Sequence, residues 1–276
     1  MIGILTDVTK CIGCNKCVDA CVEENGLEKH VPSKQGIPDG LGAERFTSVI
    51  KVHKNNGPRF VRKQCRHCVD PACASACIVG ALHKTKEGAV VYDADKCMGC
   101  RYCMMACPFA IPRYNWEDAV HYVRKCKLCH DNRIVKGKQP ACTEACPEGA
   151  TIFGERDELI KEAKKRIAQN PDRYIPKVYG EKVVGGTSVL YLSDVSLDFL
   201  GWSSELPDKP LPQYTWKVLK KVPYEFLGVG ALMGGIYWIT GRRAKVAEAE
   251  GNAASEDVDA ADAGDDESTA ETGEKE

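Results

Sequence analysis

Hydrophobic positions in this chain come in short bursts. Ile4-Leu5-Thr6-Asp7, in an apolar run that starts at Ile2, predicts a short strand. Phe46 to His53 alternates apolar and polar residues, Asn55-Asn56-Gly57-Pro58 interrupts the alternation, and Phe60-Val61-Arg62 resumes it. That pattern predicts strand, turn and return strand. Ala81-Leu82-His83-Lys84 and Ala89-Val90-Val91-Tyr92 flank Glu87-Gly88 and predict a hairpin. Gly149 to Gly154 reads as a closing strand. The period then lengthens: Leu159, Ile160, Ala163 and Ile167 share one face of a helix over Asp157–Gln169, lysines hold the other, and Pro171 ends it. Val183 to Leu192 reads as a strand, Lys34 to Gly42 as a loop, and Pro207 to Pro212 as a proline-rich linker.

The C-terminal part has a different pattern. Phe226 to Thr240 carries no charge, with Lys217, Lys220 and Lys221 before it and Arg242 and Arg243 after it. Fifteen residues make a helix of roughly 22 Å, against about 30 Å of hydrocarbon in a bilayer. Trp216, Tyr237, Trp238 and the flanking lysines suit a membrane interface, and Gly230 and Gly234 would let a second helix approach. Residues 244–276 are small and acidic and are expected to be disordered.

Cysteine usage decides the chemistry. Sixteen cysteines fall into four groups of four: Cys11, Cys14, Cys17, Cys21; Cys65, Cys68, Cys73, Cys77; Cys97, Cys100, Cys103, Cys107; and Cys126, Cys129, Cys142, Cys146. The third reads C-x2-C-x2-C-x3-C-P, a run whose first three thiolates wrap one cubane cluster while the fourth serves a neighbouring one. Four such groups imply four [4Fe–4S] clusters. Disulfides are disfavoured, because cysteines two residues apart on tight loops suit chelation better than cross-linking. Zinc would account for isolated CxxC pairs but not for the third and fourth cysteines that end groups one and three.

Groups two and three are near in sequence and pair naturally, which leaves one and four to pair across them. The resulting sets are Cys11/Cys14/Cys17/Cys146, Cys126/Cys129/Cys142/Cys21, Cys65/Cys68/Cys73/Cys107 and Cys97/Cys100/Cys103/Cys77. Pairing one with two and three with four stays open on spacing alone. With four cysteines per cluster, His67 and His130 are read as neighbours of the ligands or surface residues. The aromatic residues of Phe109 to Val123, and Tyr102, are read as packing. Arg133, Lys136 and Lys138 are read as a solvated basic loop, and the segment between groups one and two as a cover over a cluster.

Charge adds one refinement. The net charge is −1, but residues 1–243 hold 36 basic against 27 acidic side chains. Four cubanes with their thiolates bring about −2 each when oxidised, so the basic excess nearly neutralises them and implies no nucleic acid. There is no Ser/His/Asp constellation, paired carboxylate or glycine-rich dinucleotide loop, so no catalytic residue is assigned. The start of the chain shows no basic, apolar or twin-arginine export signal.

Cys11-Ile12-Gly13-Cys14, Cys68-Val69-Asp70-Pro71, Gly99-Cys100-Arg101-Tyr102-Cys103, Ala106-Cys107-Pro108, Phe153-Gly154 and Val184-Gly185-Gly186-Thr187 carry a family likeness over roughly residues 3–243. The chain resembles the four-cluster iron–sulfur subunits of membrane-bound oxidoreductases, namely the beta subunit of respiratory formate dehydrogenase and the iron–sulfur subunit of quinone-reducing uptake hydrogenase. It departs from their pattern at Ile78, where proline is frequent, and in its short hydrophobic segment.

The expected fold is therefore α+β. Residues 1–21 with 124–170 form one ferredoxin-like domain and 65–123 a second. Residues 22–64 are an insertion, 171–221 an extension and linker, 222–241 a single transmembrane helix, and 244–276 the disordered tail. The resemblance implies the one-with-four and two-with-three pairing. It further implies electron relay between a molybdopterin or nickel–iron catalytic subunit and an integral quinone-reactive or cytochrome b subunit. The location implied is the membrane, with the clusters on the periplasmic side through co-export with a twin-arginine partner, or alternatively on the cytoplasmic face. A soluble polyferredoxin and a zinc-stapled interaction module are the competing readings.

Overall fold

A computed structural model describes residues 1–27, 40–54, 57–116, 122–200, 202 and 205–262. In chain order, β1 is Ile2–Asp7, α1 Lys16–Glu24, β2 Thr47–Lys54, β3 Gly57–Gln64, α2 Ala72–Ser75, β4 Leu82–Lys84 and β5 Val90–Tyr92. They are followed by α3 Tyr102–Ala106, β6 Arg113–Tyr114, β7 Val123–Arg124, α4 Ala141–Glu144, β8 Thr151–Glu155, α5 Arg156–Gln169, β9 Val189–Leu192, α6 Pro212–Leu219 and α7 Val222–Asp262. The predicted hairpins form as β2–β3 and β4–β5. Most of the predicted loop at Lys34–Gly42, and the turn residues Asn55 and Asn56, lie outside the described residues.

The chain divides into two compact units, Met1–Thr215 and Trp216–Glu276. In the first, β1 is the centre of a three-stranded sheet, antiparallel to β8 and parallel to β9. Its apolar run does not alternate because both faces are buried. Ile4 joins the larger core with Val8, Tyr191 and Trp202, and Leu5 packs under α5 with Leu159, Ala163 and Leu190. The larger core also holds Cys21, Cys126 and Cys142 beside Cys65, Val91 and Phe109. Residues assigned by sequence to two ferredoxin-like domains thus share one interior.

Some expectations need correction. Val183 to Leu192 is not one strand: Val183–Gly185 forms a 3-10 turn with Val184 at φ 50°, and only Val189–Leu192 is extended. The turn is pinned by the proline-rich segment, whose Pro207 and Asp208 carbonyls accept from the Val184 and Gly185 amides at 2.7 and 2.8 Å. Pairing across the chain thus overrides the local extended pattern. Ile78, in place of proline, leaves its turn closed, since Gly80 N–H still reaches the Cys77 carbonyl at 3.1 Å.

In the second unit α7 runs from Val222 through Asp262. The acidic stretch is therefore helical over 244–262 rather than disordered, as its many alanines and glutamates favour. Residues 263–276 lie outside the described residues. The expected transmembrane helix over 222–241 is not supported: among the described residues no helix is long and apolar enough to cross a membrane. Gly228, Gly230, Gly234 and Gly235 dilute its fifteen uncharged residues. Phe226, Leu227, Leu232, Met233 and Trp238 are all exposed on it.

Candidate functional site

Each cysteine group opens on the same backbone device. The residue before the second cysteine is left-handed in all four: Gly13 at φ 73°, His67 at 47°, Gly99 at 73° and Leu128 at 59°. For a residue with a Cβ this conformation costs about 1–2 kcal/mol. What it achieves is to turn successive amides inward, making a concave nest for an anionic group. The Leu128 N–H points at Cys126 Sγ, 3.3 Å away. In groups one and three the residue after the second cysteine, Asn15 or Arg101, is also left-handed, and α1 and α3 start from it. Glycine before the second cysteine was a readable signal in groups one and three; His67 and Leu128 carried none.

The insertion closes over the first loop. A Cβ on Gly13 would lie 2.5 Å from the Phe60 ring of β3. Gly13→Ala must therefore displace the ring and strain a left-handed position, a loss of about 1–2 kcal/mol before the clash is counted. The expected result is loss of metal from the Cys11 loop, read as a fall in iron bound per chain, with Phe60→Ala in the same background partly restoring it.

Neighbouring thiols show which groups the fold brings together. Burial raises the thiol pKa values, and nearby thiols raise them further. Cys11 stands with Cys146 and Cys14; Cys17, pushed up to about 11, stands with Cys142, Cys11 and Cys146. Cys21 stands with Cys126, Cys142 and Cys129. Cys73, pushed up to about 12, stands with Cys65 and Cys107, and Cys68 shares those neighbours. Cys103, at about 11, stands with Cys77, Cys97 and Cys100. A small cavity is lined by Cys11, Cys14, Cys17 and Cys146 together with Thr6 and Arg62. The fourth cysteine of each group has left its own loop for another.

Electrostatic coupling between these sets runs in one line. Cys17 of the first neighbours Cys142 of the second, Cys126 of the second neighbours Cys65, and Cys73 neighbours Cys103. Polar hydrogens reach the sulfurs at several points: Leu82 N–H to Cys77 at 3.5 Å, and the Asn25 side-chain amide to Cys21 at 3.7 Å. Such bonds favour a charged sulfur and are a recognised lever on iron–sulfur potentials.

Among the other residues singled out, Arg133 and Tyr102 differ from expectation and the two histidines do not. His67 is fully buried; its Nδ1 accepts from Val90 N–H at 2.9 Å, and burial with nearby Lys125 and Lys84 holds it neutral. His130 meets Asp131 at 2.8 Å and Glu87 at 3.0 Å. Arg133 is not a solvated loop residue: it clamps Glu24 at the end of α1 and Glu144 of α4, joining groups one and four. Tyr102 is 56% exposed rather than packed, whereas Tyr114 and Trp116 stack with Arg101 at 5.4 and 5.0 Å.

The donors are soft thiols on tight loops, which suit an iron–sulfur centre. Among the described residues no three His, Cys, Asp or Glu side chains converge tightly enough to hold a single metal ion. One zinc draws thiolates to about 2.3 Å from a single centre, while a cubane spreads its four thiolates over four irons. Inward amides and buried cations also fit an anionic cluster.

The 4Fe-4S dicluster domain family matches residues 58–156, which include groups two, three and four. The chain is 39% identical over 235 residues to the hydrogenase-2 operon protein HybA of Escherichia coli O157:H7, covering 72% of each chain. It is 36% identical over 254 residues to the formate dehydrogenase iron–sulfur subunit of Haemophilus influenzae, covering 87% of this chain and 80% of that one. The chain belongs to the family of ferredoxin-type iron–sulfur electron-transfer subunits. A protein of Nitratidesulfovibrio vulgaris is 42% identical over 260 residues, covering 90% of this chain and 69% of its own length. As an iron–sulfur subunit, the chain has a mixed helix and strand fold whose function lies in its cysteine loops.

Proposed function

We propose that this chain relays single electrons through four [4Fe–4S] clusters, held by Cys11/Cys14/Cys17/Cys146, Cys126/Cys129/Cys142/Cys21, Cys65/Cys68/Cys73/Cys107 and Cys97/Cys100/Cys103/Cys77. The observation that carries the reading is the row of thiol sets, each within electrostatic reach of the next, in that order. When bound, the clusters are one-electron carriers. The protein's residues do the rest. Cysteines from distant loops hold the spacing, amides and buried cations bias the sulfurs toward negative charge, and core side chains exclude water.

The relatives named for hydrogenase and formate dehydrogenase support a catalytic partner of nickel–iron or molybdopterin type. At the other end the acceptor would be an integral quinone-reactive or cytochrome b subunit. We place the assembly at the membrane, with the clusters on the periplasmic side by co-export with a twin-arginine partner. The exposed apolar stretch of α7 is the segment that would meet the membrane assembly.

The test is anaerobic purification of the tagged full chain from membranes in mild detergent. The expected preparation is brown, absorbs near 400 nm, and holds about 16 irons and 16 sulfides per chain. A catalytic subunit should copurify with formate- or hydrogen-driven dye reduction. Recovery of the loaded chain alone from the soluble fraction would replace the membrane complex with a soluble polyferredoxin. A colourless zinc protein would sink the relay altogether. Protease access in sealed spheroplasts decides between the periplasmic and cytoplasmic faces.

A further inference from the structure

Arg62 lies on β3, in the segment the sequence reading took as a cover. It is 2% exposed, among the largest fully buried side chains of the molecule. Its Nε, Nη1 and Nη2 are all buried and, among the described residues, none reaches an oxygen or nitrogen acceptor; the partner on offer is the sulfur of Cys142. The other buried cations near the cysteines are spoken for. Lys84 donates to the Cys68 and Gly88 carbonyls, Lys125 to those of Val90 and Cys126, and Arg66 to Tyr191. Arg62 instead lines the cavity ringed by Cys11, Cys14, Cys17 and Cys146. Cys142 and Cys17 are the thiols that act most strongly on its charge. Cys17 and Cys142 belong to different thiol sets, so the guanidinium sits where two sets meet.

A desolvated guanidinium without oxygen or nitrogen acceptors is strongly disfavoured, and two anionic sulfur-rich bodies beside it are the partners it lacks. Arginine suits the place better than lysine, because its planar fork can present donors to two sides at once. A fixed positive charge favours the reduced form of a nearby centre, which carries one more electron, and so raises its potential.

We propose that Arg62 is the shared counter-cation of the Cys11/Cys14/Cys17/Cys146 and Cys126/Cys129/Cys142/Cys21 clusters, a positioning residue that raises the reduction potential of both. The proposal rests on the four-cluster reading above.

The experiment uses the full chain in its loaded, detergent-extracted form, comparing wild type with Arg62→Met and Arg62→Lys. Iron and sulfide are counted first, and the midpoint potentials are then followed by EPR during a redox titration. In Arg62→Met, two of the four midpoints should fall by at least tenfold in the reduction equilibrium, about 59 mV for one electron. The other two should stay in place, and Arg62→Lys should remain near wild type. Four unmoved midpoints with full iron, or an equal shift of all four, would overturn the role of Arg62 and leave the relay intact. If Arg62→Met fails to hold iron, Arg62→Lys decides. Restored iron with near-normal midpoints supports the counter-cation, and loss of iron in the lysine variant too would reduce Arg62 to a packing residue. A wild-type chain without about 16 irons would overturn the relay itself, and this proposal with it.

Discussion

Cys146→Ser is expected to empty the site of Cys11, Cys14 and Cys17 while sparing that of its own sequence neighbours Cys126, Cys129 and Cys142. Cys146 follows α4 and turns into a cavity lined by the first group. Serine keeps the size of the side chain but replaces the soft thiolate that iron–sulfur clusters select. With one corner lost, about a quarter of the bound iron should go, about 4 of 16 atoms. Because the emptied set stands at one end of the row, transfer entering or leaving by that end should drop on the order of 100-fold or more, at least what loss of an outer-shell partner alone costs a metal site. Iron counts with EPR of the remaining clusters check it. If Cys146→Ser disturbed a signal that Cys97→Ser also disturbs, fourth cysteines would be shared between groups three and four, and the crossed assignment would fail.

Trp202→Ala should produce the largest loss of stability. Trp202 is fully buried, and its ring lies 4.9 Å from Phe109, 6.0 Å from Tyr191 and 6.1 Å from Tyr179. The Arg66 guanidinium sits 5.1 Å from the same ring. One indole thus ties the extension after β9 to the loop of group two and to the chain just past group three. Emptying a site of that size costs about 3–5 kcal/mol. In a chain of this length that corresponds to a fall on the order of 10 °C in the midpoint of thermal unfolding. Trp202→Phe is the informative companion. It keeps an aromatic ring and removes an indole N–H that has no partner among the described residues. It should cost less than Trp202→Ala, because it leaves a much smaller cavity. Bleaching near 400 nm during heating would follow both variants. Equal behaviour of the two would mean that the box of rings is not what holds the extension down.

Much of the local architecture was legible beforehand, because local patterns report local forces. The alternation over Phe46–His53 produced β2 with β3, and Glu87-Gly88 marked the β4–β5 hairpin. The apolar face of Leu159, Ile160, Ala163 and Ile167 produced α5, which lies on Leu5 and Leu190. Where a long-range partner intervened, the patterns misled. Val184 took a left-handed turn because Pro207 and Asp208 lie against it. Arg133, drawn as a solvated cation, is held between two acids more than a hundred and about ten residues away in sequence, Glu24 and Glu144. The acidic stretch was judged by charge, although its alanine content favoured the helix that reaches Asp262.

The sequence by itself determined the chemistry of this protein: cysteine type and spacing select iron–sulfur binding, since three thiolates two residues apart can wrap one small body whatever surrounds them. Only the tertiary structure shows which distant thiols lie beside each loop, and that Arg62 is buried among Cys11, Cys14, Cys17 and Cys146 with Cys142 beside it. Those relations join residues on separate loops and strands. They arise when the core around β1 closes, and no periodicity along the chain encodes them.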